Sequence, residues 1–136
     1  MTNKTLAQSY RIKAENRLKI LEVLFKEEAY SDVIREAQEI VELALKGLLR
    51  QVGVEPPKWH DVGVAIVEFA ERLPEKVAAD VKELARISSW LRKEREFAFY
   101  GDIDFIPTEE YDKNDARRAI QDATYVFAAA AKVIPL

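Results

Sequence analysis

The chain contains no cysteine and only one histidine. Without cysteine there is no disulfide framework, thiolate zinc site or cysteine nucleophile. A lone histidine argues against a closed histidine-based metal site, and neither metal nor cofactor is expected. Glycine and proline are scarce, 4 and 5 in 136 residues. They fall between periodic segments rather than inside them, the pattern of an all-helical domain. No N-terminal apolar run resembles a secretory signal, and no apolar stretch is long enough to span a bilayer. The expected location is therefore the cytoplasm, with no membrane partner. Excess positive charge is also missing: 21 basic against 24 acidic residues give a net charge of −3. A general nucleic-acid coat would be basic overall, which leaves only a local basic groove. What remains is 49% hydrophobic and 33% charged, a composition that suits one compact domain over residues 1–136.

The apolar periodicity predicts five helices. The first spans about Thr5 to Glu28 on a stripe of Ala14, Leu18, Leu21 and Phe25. Ser31 is expected to cap the second, from about Asp32 to Val52. Its wide apolar band of Val33, Ala37, Ile40, Val41, Ala44, Leu48 and Val52 suits a helix with several neighbours. Glu42 and Lys46 stand four apart on it, in the favoured order for pairing. Gly53 offers a stop, and Pro56-Pro57 forces an extended loop. His60-Asp61 opens a shorter helix to about Leu73, where the histidine reads as a structural hydrogen-bonding group. The fourth helix, from about Glu75 to Phe99, reads as the longest. A loop follows from Gly101 to Tyr111. Asp112 then caps the last helix, with Asp115 three residues later supporting the start. The predicted fold is all-α: an up-and-down antiparallel bundle of four long helices and a short one.

One stretch suggests chemistry. Val77, Val81, Leu84, Ser88 and Leu91 are spaced four, three, four and three, and the next steps on that stripe are Arg95 and Ala98. Arg95 is thus predicted on a buried face. A guanidinium cannot shed its charge, so it needs an acid, a phosphate or a wet interface there. Arg92 and Lys93 precede it. Tyr100 follows, then the helix stop Gly101 and the acids Asp102 and Asp104.

Two stretches carry a family resemblance. Residues 36–49 read Glu-Ala-Gln-Glu-Ile-Val-Glu-Leu-Ala-Leu-Lys-Gly-Leu-Leu, followed by Gly53, the proline loop and His60-Asp61-Val62-Gly63. This resembles the first half of HEPN domains, with Glu42, Lys46, His60 and Asp61 in the structural motif. Leu91 to Asp102 is similar to the end of that family's long helix. The resemblance implies a helical bundle that usually forms a homodimer. It also implies one of three roles: metal-independent ribonuclease, partner of a minimal nucleotidyltransferase in prokaryotic toxin–antitoxin modules, or nucleotide binder. The ribonuclease signature is an arginine, four to six residues, then a histidine, contributed by both subunits at a shared cleft. Arg95 matches the arginine, and Tyr100 stands at the histidine position.

That departure matters. Cleaving RNA through its 2′-hydroxyl needs a proton acceptor near neutral pH. A histidine of pKa ~6.5 is largely in its base form there, whereas a tyrosine of pKa ~10 is ionised to about one part in a thousand. The leading expectation is therefore a nucleotide-binding module, or a nucleotidyltransferase partner, without efficient catalysis. In it Arg95 faces phosphate, supported by Arg92 or Lys93. Tyr100 lies against a base, while Asp102 and Asp104 orient the arginine or meet ribose hydroxyls. The first alternative is a ribonuclease toxin with Arg95 and Tyr100 as catalytic residues in a composite dimer cleft. The second is a purely structural dimerising bundle, in which Arg95 pairs with Glu42 or with an acid of the 102–104 loop.

Overall fold

A computed structural model describes residues 5–136. Helix α1 (Leu6–Lys26) opens on a capping box. The Gln8 backbone N–H donates to the Thr5 hydroxyl at 3.1 Å, and the Thr5 N–H donates to the Gln8 side chain at 2.9 Å. Two donors that a helix start leaves orphaned are thereby satisfied.

Helix α2 (Tyr30–Gln51) is the longest at 22 residues. It packs against α1 and, further along the chain, against both remaining long helices, which is why its apolar band is so wide. Val33, Ile34, Ala37, Ile40, Leu45, Leu48 and Leu49 are all buried along it. The helix begins earlier than expected. Ala29 occupies the cap position with no side-chain bond, and Ser31 lies buried in the first turn instead of capping. Beyond its C-terminus Gly53 adopts φ +81°, the left-handed conformation that ends a helix with least strain in glycine.

Helix α3 (Val62–Glu68) starts after Asp61, whose carboxylate accepts the Gly63 N–H at 2.9 Å. It is shorter than the periodicity suggested, because residues 70–72 tighten into a 3₁₀ turn. The predicted long fourth helix is divided into α4 (Glu75–Ala78) and α5 (Val81–Phe99). At the break the Asp80 N–H closes a tight bond onto the Val77 carbonyl. The Asp80 carboxylate meanwhile accepts the Tyr125 hydroxyl and pairs with Lys132 at 3.5 Å. A one-turn helix α6 (Pro107–Glu110), with proline in its first turn, lies inside the expected loop. Helix α7 (Lys113–Ala131) opens on the anticipated Asp112–Asp115 capping box, with bonds of 2.9 and 3.0 Å.

The long helices α1, α2, α5 and α7 form the bundle, and the short α3 lies along α5. Among the described residues there are seven helices rather than five, and none is long and apolar enough to cross a membrane.

Candidate anion site at the end of the fifth helix

The C-terminal half of α5 carries the candidate residues. Leu91 and Ala98 are buried, which fixes the inward face of this segment. Arg95 lies between them in sequence and is partly buried, not enclosed in the core. Among the described residues, no carboxylate lies within ion-pair distance of it. Glu42, one partner considered for it, instead binds Lys46 at 3.3 Å and accepts the Gln38 amide at 3.2 Å. Asp102 and Asp104 are exposed, and Asp102 serves its own turn by accepting the Ile103 N–H at 2.7 Å.

The neighbouring acids keep their charge, but none of them reaches Arg95 within ion-pair distance. Glu94 is taken up by the Tyr111 hydroxyl at 2.7 Å. Burial, and then this bond, push the Tyr111 pKa well above the ordinary tyrosine value, so the phenol keeps its proton. Glu96 is exposed. Arg92 donates to the Trp59 carbonyl at 3.3 Å, tying the loop before α3 to α5. Lys93 projects into solvent. A further cation, not anticipated from sequence, is Arg35 of α2, whose guanidinium sits 5.0 Å from the Phe99 ring centre and pairs with Glu39 at 3.6 Å. Its position follows from the packing of α2 against α5, and no local pattern signals it.

Tyr100 does not share a face with Arg95. Five helical steps place the two about 140° apart around the axis, and Tyr100 is 73% exposed. It packs edge-on against Phe99, with ring centres 4.8 Å apart. Directly after it, Gly101 takes φ +69° and the chain doubles back. The Asp102 N–H donates to the Phe105 carbonyl at 2.9 Å, and the Phe105 N–H returns the bond to Asp102 at 3.0 Å. Phe97 and Tyr111 flank the Phe105 ring at 5.4 and 5.6 Å, which anchors the loop.

His60 is exposed, and Asp61 beside it caps α3. Asp61 also accepts the hydroxyl of the buried Ser88 on α5. Of the His-Asp pair, it is the aspartate that does the structural bonding. The pairing of Glu42 with Lys46 stands as the spacing suggested. Among the described residues no three His, Asp or Glu side chains converge as a metal site would need.

The model of the HEPN domain family matches residues 7–133, nearly the whole bundle. The chain belongs to the HEPN family. Two solved structures have the same fold. One is ST0689, an archaeal HEPN homologue, at 21% identity and a TM-score of 0.71, covering 99% of this chain and 100% of that one. The other is TT1696 from Thermus thermophilus, at 20% identity and a TM-score of 0.71, covering 93% and 96%. No curated protein matches the chain.

Proposed function

We propose that this HEPN domain is a nucleotide-binding module, working as a cytoplasmic homodimer. In this reading it partners a minimal nucleotidyltransferase in a prokaryotic toxin–antitoxin-type system and has no efficient catalysis of its own. The observation that carries the reading is Arg95, a partly buried residue whose guanidinium has no carboxylate in ion-pair distance and stays open to water. A guanidinium that serves no structural partner is free to take a ligand, and a phosphate supplies both the countercharge and the acceptors that its fork of donors matches. Arg92 and Lys93, just before it on α5, add positive charge, offset in part by Glu94 and Glu96 on the same helix. Tyr100 lies on another face of the helix from Arg95, so its exposed ring meets the base of a nucleotide shared across the homodimer, and Asp102 and Asp104 are open to ribose hydroxyls.

A purely structural role for Arg95 finds less support, since Glu42 is occupied by Lys46 and Gln38. A ribonuclease role would need a proton acceptor. Tyr100 supplies a phenol in open solvent, and no carboxylate or imidazole among the described residues hydrogen-bonds its hydroxyl.

The test is a thermal-shift titration of wild type and Arg95→Ala with ATP, GTP and AMP, with and without magnesium. A nucleotide at about 100 times its dissociation constant stabilises the fold by about 2.7 kcal/mol, a rise of several degrees. A rise in wild type that vanishes in Arg95→Ala is the expected result. No rise in either protein removes the nucleotide reading. RNA cleavage without added metal that is lost in Arg95→Ala would establish the ribonuclease reading in its place.

A further inference from the structure

A cavity of about 110 Å³ sits at the N-terminus of α2. Glu28, Tyr30, Ser31 and Asp32 line it from the turn before α2 and the first turn of that helix, together with Thr108 of α6 and Tyr111 just beyond α6. Helix α2 has no side-chain cap, and the N–H groups of Ser31 and Asp32 find no acceptor among the described residues. Ser31 is only 6% exposed, yet its hydroxyl makes no hydrogen bond among the described residues. A polar group buried to this extent ordinarily has a partner, and the free side of this one is the cavity.

Donors alone would make this an anion site, as helix N-termini commonly are. Two carboxylates oppose that. Glu28 and Asp32 both line the cavity, and neither is in an ion pair among the described residues. A phosphate there would face two like charges. A cation fares no better against unpaired N–H donors and the positive end of a 22-residue helix. The lining suits a neutral group that carries an acceptor beside its donors. It also suits a flat one. Tyr30 packs on Phe25 and Tyr111 on Phe105, with ring centres 5.8 and 5.6 Å apart, so two anchored aromatic side chains border the space.

We infer that this cavity takes the Watson–Crick edge of a guanine base. That edge presents one carbonyl oxygen followed by two N–H donors in a row. Adenine and cytosine each present a single donor group there, and uracil presents one donor between two acceptors. Only guanine can give a carbonyl to Ser31 and two parallel N–H bonds to one carboxylate, which has acceptors for both. The Ser31 N–H and hydroxyl meet the carbonyl oxygen. Asp32, the partly buried acid, takes the two ring-edge donors, and Glu28 stands exposed at the rim. Neither Arg95 nor Tyr100 lines this cavity, and the inference goes beyond the nucleotide reading above.

The test is calorimetric titration of the full chain with guanosine, inosine and adenosine. These carry no phosphate and so keep Arg95 out of the measurement. Guanosine is expected to bind. Inosine lacks the exocyclic amino group and should bind about ten- to a hundredfold more weakly, because one carboxylate oxygen loses its donor. Ser31→Ala and Asp32→Asn, with folding verified by circular dichroism, should each weaken guanosine binding by a similar factor, and Arg95→Ala should leave it unchanged. A five-nucleotide RNA with one guanosine among uridines distinguishes the source of the base. Tighter binding than guanosine assigns the cavity to RNA, and weaker binding assigns it to a free guanine nucleotide. Three results overturn the inference: inosine or adenosine binding as well as guanosine, guanosine binding unchanged in both variants, or no binding of guanosine or the RNA at millimolar concentration. Each leaves the thermal-shift test of Arg95 standing on its own.

Discussion

Asp122 and Arg95 are both charged, both partly buried and both candidates for mutation, and the structure assigns them opposite fates. The Asp122 carboxylate on α7 accepts the Trp90 indole N–H at 2.8 Å and an Arg86 N–H at 3.4 Å, and lies 4.0 Å from Arg118. Arg118 in turn sits 4.3 Å over the Trp90 ring. Asp122→Ala strips an acceptor from a partly buried indole and leaves two guanidiniums facing each other. A loss of about 1–3 kcal/mol is expected in urea unfolding. Arg95 has no such partners, so Arg95→Ala should change the unfolding free energy by less than about 0.5 kcal/mol, the range of an uncommitted surface residue. A larger loss would place Arg95 among the structural groups and take away the argument for an anion there. Arg95 was legible because periodicity alone put a fixed charge on an inward stripe. Asp122 was not, since nothing in its local sequence announces donors arriving from another helix.

At the scale of elements, local signals were read correctly where local chemistry decides and misread where packing decides. The Asp112–Asp115 box is written within four residues, and it forms. Asp112→Ala should cost about 1 kcal/mol, checked by the urea midpoint. The start of α2 and the division of the fourth helix were not legible in this way. Ser31 is drawn into the interior rather than onto a cap, and Asp80 is held at the break by Tyr125 and Lys132, from α7 and its end. The Gly101 loop combines both cases. Its glycine was readable as a helix stop, but the reason it must be glycine is tertiary. Besides the positive φ, a Cβ there would lie 2.4 Å from the Phe105 carbonyl oxygen and 2.6 Å from the Pro107 ring. Gly101→Ala must open the Asp102–Phe105 turn and should cost more than the roughly 1 kcal/mol of an unobstructed left-handed alanine. Faster amide exchange at Asp102 and Phe105 would locate the damage, and unchanged exchange there would show that the turn does not depend on Gly101.

For the molecule as a whole, the least local ties lead to a pH dependence that only the folded chain can have. Tyr111 joins the α6–α7 junction to Glu94 of α5, and Tyr125 joins α7 to Asp80 at the start of α5. The Tyr125 pKa is pushed up to about 12, first by its bond to Asp80 and then by burial. That of Tyr111 is raised by burial and then by Glu94. In the unfolded chain both phenols ionise near the ordinary value of about 10. Below that pH both states hold these protons, and the two tyrosines add no pH dependence. Above it the unfolded state binds fewer protons than the folded state, so stability falls as pH rises through the window from about 10 to 12. Because one bond ties α7 and the other the junction before it to α5, the loss is expected in one cooperative transition rather than as local fraying. Urea midpoints should show no contribution from these groups between about pH 7 and 9 and then decline. Tyr111→Phe should lower the midpoint at neutral pH, through the lost bond to Glu94, and flatten the alkaline decline. Tyr125→Phe should do the same more weakly, because its hydroxyl is closer to water. An alkaline decline of the same slope in both variants would show that these phenols ionise in the folded protein as freely as in the unfolded chain.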